Sequence, residues 1–421
     1  MIQKLYDIFC QSKGVTTDTR KCGQGTMFFA LKGASFNGNQ FAQQALEAGC
    51  ICAVVDEEQY ATDSRCILVD NALAALQQMA AMHRRRMGEG GLQVIQITGT
   101  NGKTTTKELC AAVLSKAHNV LYTQGNLNNH IGVPLTLLRI RPEHDIAVVE
   151  TGANHPGEIR DLTAIVQPDC GLITNVGRAH LEGFGGFDGV KRTKGELYDY
   201  LAAHGRFAFV NPLDEHLCGM AAERNLHTEP YIDGFTMGGT AFMAFCCGDK
   251  DIQTNLVGAY NLPNALAAIT VGMHFGVSLE QAAQAIHDYV PSNNRSQLVE
   301  TGRNTLIVDA YNANPSSMAL AIDNFRQIVA PHKMMILGEM RELGESSADE
   351  HGRVARMAIQ SGVEAIWFVG RAFAPFATNG TCLFDDVEAV TKTLQSNPLH
   401  GRTILIKGSN GTRQFQLPLV L

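Results

Sequence analysis

Short apolar runs, each followed by a stretch with helical spacing, recur along most of the chain. Val94-Ile95-Gln96-Ile97 is the most informative of them. It reads as a buried strand broken by glycines, and the residues from Lys103 to about Lys116 then have helical spacing. Before it, Gly25 to Gly33 reads as a strand ending in a turn, Gln40 to Ala48 as a helix, and Cys52 to Val55 and Ile67 to Val69 as short strands. After it, Asp145 to Glu150 and Cys170 to Thr174 are predicted strands and Val190 to Leu201 a helix, with a further helix starting at Tyr260-Asn261-Leu262-Pro263-Asn264. Asn261 suits the cap of that helix and Pro263 its first turn. Near the end, strands are predicted at Leu306 to Asp309, Met334 to Leu337, Ala365 to Val369 and Ile404 to Ile406. Helices are predicted near Ser316 to Ile328, Ala348 to Gln360 and Val387 to Leu394.

Strand alternating with helix is the mark of an α/β protein with mainly parallel sheets covered on both faces. A chain of 421 residues exceeds one core, and at about 150 residues per domain it suggests three domains. The expected boundaries enclose a small N-terminal α/β domain (1–86), a central P-loop ATPase-like domain with a mainly parallel sheet (87–291), and a C-terminal Rossmann-like, doubly wound domain (292–421). Gly88 to Gly91 reads as a hinge, Arg84-Arg85-Arg86 beside it as a solvated linker, and Pro291-Ser292-Asn293-Asn294 as the second linker. The last domain lacks Gly-x-Gly-x-x-Gly, which argues against NAD.

The chemistry starts in the loop Gly99-Thr100-Asn101-Gly102-Lys103-Thr104-Thr105. Backbone N–H groups at a helix N-terminus attract phosphate, Lys103 can reach the terminal phosphates, and the Thr104 hydroxyl can hold Mg²⁺. The loop is short, with Ile97 where the longer phosphate-loop pattern has glycine. In open α/β sheets ligands bind at the carboxyl ends of strands, which places Glu150 and His180 near this loop. His180 follows a strand end with Glu182 close by, so a metal-ligand role is favoured over that of a surface histidine. Lys194 reads as part of the wet face of its helix. Asp18-Thr19-Arg20 either forms an Asx-type turn or, with Lys32, lets Arg20 face an anionic ligand.

Charge and composition narrow this further. A net charge of −7 gives no reason to expect nucleic acid. No apolar run approaches the length that crosses a membrane, and the segment from Met1 to Phe9 lacks an export signal, so a cytoplasmic protein without membrane insertion is expected. Eleven cysteines without Cys-x-x-Cys spacing suggest reduced thiols.

Together these residues resemble the Mur ligase family of ATP-dependent amide-forming enzymes. The likeness lies in Thr17-Asp18-Thr19-Arg20, Phe29-Ala30-Leu31-Lys32-Gly33, the stretch Gly99 to Glu108, Gly125-Asn126-Leu127-Asn128-Asn129 with Ile131-Gly132-Val133-Pro134, Glu150 to Glu158, Ala179 to Gly185, Lys194-Gly195-Glu196, Asp309 to Pro315 and Leu337 to Gly344. Within the family, the Asn-Leu-Asn-Asn, Gly-Ala-Asn-His and Tyr-Asn-Ala-Asn-Pro runs go with adding D-alanyl-D-alanine to a UDP-N-acetylmuramoyl-tripeptide. The resemblance implies that Gly99, Thr100, Asn101, Gly102, Lys103, Thr104 and Thr105 bind ATP, with Asn261, Arg295 and Asp309 as further nucleotide contacts. It implies two Mg²⁺ sites served by Thr104, Glu150, His180 and Lys194, with Lys194 carbamylated. It makes Lys103, Glu150, His180 and Lys194 the catalytic set. Asp18, Thr19, Arg20, Lys32, Gly33, Asn126, Asn129, Asn154, His155, Asn312 and Asn314 become substrate-binding residues. A monomer is expected.

Two positions depart from the family pattern: Tyr260 stands where many members have His, and the loop after Lys407-Gly408-Ser409 reads Asn410-Gly411-Thr412-Arg413. Other readings are a Mur-type ligase adding a diamino acid, a folylpolyglutamate-type ligase, and a non-catalytic regulator that binds ATP and muropeptide. The first should carry an acidic-residue-binding motif that is not seen. The second typically has Gly-Lys-Gly-Ser where this chain has Gly102-Lys103-Thr104-Thr105, and the four catalytic-type residues together oppose the third.

Overall fold

The computed structural model describes residues 1–237, 241–292, 295–378 and 380–421. The linker expected at 291–294 therefore lies partly outside the described residues. Three larger sheets carry the fold. The first, in the order Val15–Thr16, Met27–Phe29, Cys52–Val55, Cys66–Leu68, is wholly parallel. The second has the order His227–Pro230, Phe207–Val210, Cys170–Ile173, Gln93–Thr98, Ile146–Glu150, Val120–Tyr122. The third runs Gln297–Glu300, Thr305–Asp309, Thr403–Lys407, Lys333–Gly338, Ala365–Val369, Thr381–Phe384. By contacts the chain divides into two compact units, Met1–Ile97 with His118–Gly152 and Ile159–Gly171, and Thr98–Ala117 with Ala153–Glu158 and Leu172–Leu421.

In the first unit the expected strands form, and their continuous apolar runs reflect burial on both faces. One core joins Leu5, Tyr6 and Phe9 of the N-terminal helix to Leu76 and Met79 of the helix Ala72–Glu89 and to Val133 and Leu137. That helix corrects the linker reading of Arg84-Arg85-Arg86. It starts at Asn71, whose side chain accepts from the Ala74 N–H at 2.8 Å, and continues past the arginines to Glu89. Its phase turns Arg84 inward, 5% exposed, while Arg85 and Arg86 stay in solvent. Arg84 Nη2 pairs with Asp169 Oδ2 at 2.7 Å and also donates to the Gln167 carbonyl at 2.8 Å. Asp169 in turn accepts from the Val94 N–H at 2.8 Å, which ties the pair to the start of the strand Gln93–Thr98. That strand pairs in parallel with Ile146–Glu150, and the register sets Ile97 opposite Glu150.

In the second unit, the phosphate-loop helix Lys103–Leu114 packs on the helix Leu262–His274. An antiparallel sheet of Gly234–Met237, Phe242–Cys247 and Lys250–Val257 was not expected among the parallel elements. Its signal is a period of two: Ile252, Thr254 and Leu256 are buried while Asp251 and Gln253 are exposed.

The C-terminal sheet has one antiparallel edge, Gln297–Glu300, and is otherwise parallel. It also contains Thr381–Phe384, a strand the apolar pattern did not reveal. Alternation divides its side chains between two cores. Ile307, Met335, Leu337, Ile366 and Phe368 join the helices Pro315–Gln327 and Ser347–Gln360, whereas Leu306, Val308, Met334, Ile336 and Ile404 join the helix Val387–Ser396. This is double winding. Strands Thr305–Asp309 and Thr403–Lys407 are neighbours whose chains leave toward opposite faces, the arrangement that opens a ligand crevice in such sheets.

Candidate active site

The phosphate loop follows the strand Gln93–Thr98 directly and is fixed from beside by residues 174–177. The Thr174 hydroxyl donates to the Asn101 carbonyl at 2.6 Å, Asn175 Oδ1 accepts from the Asn101 N–H at 3.0 Å, and the Gly177 N–H donates to Thr100 Oγ1 at 3.0 Å. Gly102 caps the helix at φ +80°, where a Cβ would stand 2.6 Å from Asn264 Oδ1. Only glycine fits there. The helix Lys103–Leu114 then begins at the loop, with Lys103 Nζ donating to the carbonyls of Gly99 at 2.9 Å and Thr100 at 3.0 Å. Thr104 is buried at the same end. The Thr106 hydroxyl donates to Asn264 Oδ1 at 3.1 Å, and Asn264 Nδ2 donates to Asn261 Oδ1 at 3.0 Å. Asn261 Nδ2 donates to the Val257 carbonyl at 3.0 Å, so Asn261 stands at the cap position without capping through its side chain, contrary to expectation.

Lys194 overturns its wet-face reading. In the helix Phe187–Ala203 it is 3% exposed, with Nζ 5.5 Å from the centre of the Phe184 ring. Burial, reinforced by the charge of Lys103 and opposed by Glu158 and Glu196, pushes the ammonium down to about 7. Glu196 is held by the Gly157 N–H at 2.8 Å. At Glu158, burial raises the carboxyl but is outweighed by the N–H groups of Asn154 and His155, leaving it below the usual range. His180 precedes the turn Leu181–Phe184 and shares a hydrogen bond between its Nδ1 and Glu342. Burial lowers its pKa, Glu342 opposes that, and Lys103 and Lys194 add to it. Lys103, His180 and Lys194 thus lie within one another's fields.

The hydroxyl oxygen of Thr104 is a donor for a hard cation, while the imidazole nitrogen of His180 is a donor that transition metals favour. A lysine titrating near neutrality is the chemistry required for a CO₂ adduct, which would replace a buried cation by an anion with two oxygens. In the first unit Glu150 is 1% exposed and accepts from Asn128 Nδ2 at 2.8 Å. Among the described residues no three His, Cys, Asp or Glu side chains cluster as a preformed metal site.

Residues 11–84 match the family model described as Mur ligase family, catalytic domain; 97–272 match the Mur ligase middle domain, and 294–410 the Mur ligase, glutamate ligase domain. The chain is also 33% identical to a UDP-N-acetylmuramoyl-tripeptide–D-alanyl-D-alanine ligase of Haemophilus influenzae, over 98% of this chain and 93% of the relative. The chain belongs to the Mur ligase family. A ligase of the same description from Escherichia coli is 33% identical over 94% of this chain and 90% of its own length. The crystal structure of MurF from Acinetobacter baumannii superposes with a TM-score of 0.87 at 31% identity, covering 99% of this chain and 97% of that one. The α/β fold of this Mur ligase is therefore the family's three-domain architecture.

The other sequence-assigned residues of this Mur ligase fall as follows. Asp18 forms the Asx turn, accepting from the Arg20 N–H at 3.0 Å, and the Arg20 guanidinium holds its carboxyl down to about 2. Thr19 lies in that turn. Lys32 pairs with Asp56 at 3.1 Å and Glu57 at 3.0 Å, next to exposed Gly33. Asn126, Asn154 and His155 are exposed, and Asn129 Oδ1 accepts the N–H groups of Ile131 at 3.1 Å and Gly132 at 2.9 Å. Thr105 is buried in the first turn of its helix. The Arg295 guanidinium lies 3.8 Å from the Tyr311 ring centre, and Asp309 pairs with Lys407. Asn314 caps its helix through the Ser317 N–H at 2.9 Å and donates to Asn101 Oδ1 at 2.8 Å. Asn312 is exposed, and its carbonyl accepts from Lys407. Asn128, Glu158, Glu196, Glu342 and Lys407 were not singled out from the sequence as site residues, although each lies within a stretch quoted above.

Proposed function

We propose that this Mur ligase joins D-alanyl-D-alanine to UDP-N-acetylmuramoyl-tripeptide with hydrolysis of ATP to ADP and phosphate, making a pentapeptide precursor of peptidoglycan. The observation that carries the chemistry is the buried Lys194 beside Lys103 and His180 at a phosphate loop. The substrate pair follows from the full-length likeness to the ligases named above.

A carboxylate is a poor electrophile, so activation comes first. The terminal carboxylate oxygen of the tripeptide attacks the γ-phosphorus of ATP, the bond to the bridging oxygen breaks, and ADP leaves. The amine of D-alanyl-D-alanine then attacks the acyl-phosphate carbonyl; the tetrahedral adduct collapses to the amide, and inorganic phosphate departs after the amine loses its proton. Lys103 and the N–H groups at the start of its helix neutralise charge on the transferring phosphoryl group, and positioning supplies most of the rest. Thr104, Glu150, His180 and carbamylated Lys194 are assigned to two Mg²⁺ ions, which would add further charge neutralisation when bound. Arg295, Asp309 and Asn261 are assigned to the nucleotide. The N-terminal residues around Asp18, Arg20 and Lys32 are assigned to the UDP end, and the C-terminal domain with Asn312 and Asn314 to D-alanyl-D-alanine. Residues 1–86, 87–291 and 292–421 serve as the three functional domains of a cytoplasmic monomer.

Purified protein with ATP, Mg²⁺ and UDP-N-acetylmuramoyl-tripeptide should release phosphate only when D-alanyl-D-alanine is added. Equal release with a single amino acid or a diamino acid would overturn the substrate assignment. Tripeptide binding without any phosphate release would instead favour a regulator.

A further inference from the structure

Two of the few non-glycine residues with positive φ are hydrogen-bonded to each other: His180 at φ +50° and Glu342 at φ +61°. Such a backbone is disfavoured for a residue with a side chain and persists where the surroundings fix it. Both loops are held. The turn bearing Glu342 continues to Gly344, where a Cβ would stand 3.2 Å from the Glu182 side chain. The loop bearing His180 is fastened at Arg178, whose N–H donates to Ser316 Oγ at 3.0 Å and whose guanidinium pairs with Glu350 at 3.1 Å. The Phe184 ring meets the His180 ring edge-on at 6.2 Å. Glu342 thus reaches His180 through an arrangement fixed on both sides of the contact.

We propose that Glu342 is a positioning residue that holds the neutral His180 imidazole with its proton on Nδ1, leaving the Nε2 lone pair for a cation. A carboxylate accepts and cannot donate, so the hydrogen bond selects the Nδ1–H tautomer. Among the described residues Nε2 has no hydrogen-bond partner. A carboxylate behind a ligating histidine orients the ring and raises its basicity, and removing one typically costs about 10–100-fold in metal affinity or activity. This rests on the reading of His180 as a cation ligand in the ligase reaction. It adds a residue from the Gly338-Glu339-Met340-Arg341-Glu342 turn to that reaction.

The test uses full-length protein and Glu342→Gln, with Glu342→Asp as the conservative variant. In metal-free, histidine-labelled protein at pH 8, nitrogen NMR should show the Nδ1–H tautomer for His180, assigned with His180→Gln. Glu342→Gln should shift it toward Nε2–H, and Glu342→Asp should retain part of the parental signal. With ADP and UDP-N-acetylmuramoyl-tripeptide present, Mn²⁺ titration followed by electron paramagnetic resonance should show about tenfold weaker binding at one site in Glu342→Gln. In the His180→Gln background, Glu342→Gln should add no further loss. An unchanged tautomer, or Mn²⁺ affinity within twofold of the parent, overturns the proposal. Neither measurement needs turnover, so an inactive parent would count against the ligase reading and leave these results to decide the role of Glu342. Melting curves matching the parent's exclude simple unfolding.

Discussion

Lys407 Nζ stands 2.8 Å from Asp309 Oδ2, across the carboxyl ends of two adjacent parallel strands in the C-terminal sheet. The lysine is 2% exposed and also donates to the Asn312 carbonyl at 2.8 Å, so it ties both outgoing loops of the crevice to one cation. Lys407→Met should leave a partly buried carboxylate unpaired and cost about 3 kcal/mol. Adding Asp309→Asn should recover part of that loss. Denaturant midpoints of the single and double variants check it, and a Lys407→Met midpoint equal to the parent's would show that solvent already supports Asp309.

Lys194 sets a pH dependence. Its ordinary value of 10.5 falls to about 7 in the folded protein, so the unfolded chain binds the extra proton between those limits. The buried ammonium is therefore a penalty, on the order of 5 kcal/mol, that is fully present below pH 7 and relieved as pH rises toward 10.5. Only the free amine combines with CO₂, and below pH 7 its fraction drops about tenfold per unit. Activity should show an acid limb that bicarbonate shifts downward. Lys194→Ala should lose activity and regain part of it with short carboxylates, while melting no lower than the parent at pH 6. A fully active alanine variant would remove Lys194 from the chemistry.

How much of this was legible depended on how local the cause was. The phosphate loop could be read because strand, Gly102 and Lys103 are consecutive and each residue type has its own backbone or charge requirement. The alternating C-terminal strands were likewise visible. Lys194 was not, since its value near 7 comes first from burial in the folded protein and then from the charge of Lys103, far away in sequence. Arg84 was misread because three consecutive arginines look solvated. Only the helix phase, with Asp169 waiting opposite, turns one of them inward. The period-two run Asp251–Leu256 did carry a strand signal, but it sat within a chain whose helices and parallel strands dominated the reading.

Gly102→Ala tests the loop. At φ +80° a Cβ costs about 1–2 kcal/mol, and its approach to Asn264 Oδ1 would displace the residue that anchors Thr106. Nucleotide affinity should fall at least tenfold while the helix Lys103–Leu114 remains formed. Lys103→Ala should bind nucleotide weakly and turn over none. Calorimetry with ADP and the phosphate-release assay separate the two effects. Parental ADP affinity in Gly102→Ala would mean that the loop tolerates the side chain.

Arg84 and Arg85 make a matched pair for the fold. Arg84→Ala removes the cation paired with Asp169 and a donor to the Gln167 carbonyl. Breaking a buried pair in this way costs about 3–5 kcal/mol. Arg85→Ala, one residue along on the exposed face, should stay within about 0.5 kcal/mol of the parent. Urea unfolding of both variants measures the difference directly. Because Asp169 anchors the start of the strand that leads into the phosphate loop, the KM for ATP at temperatures well below the melting transition separates two effects. An unchanged KM in Arg84→Ala means that the pair only stabilises the strand. A raised KM means that the strand's anchoring also sets the loop.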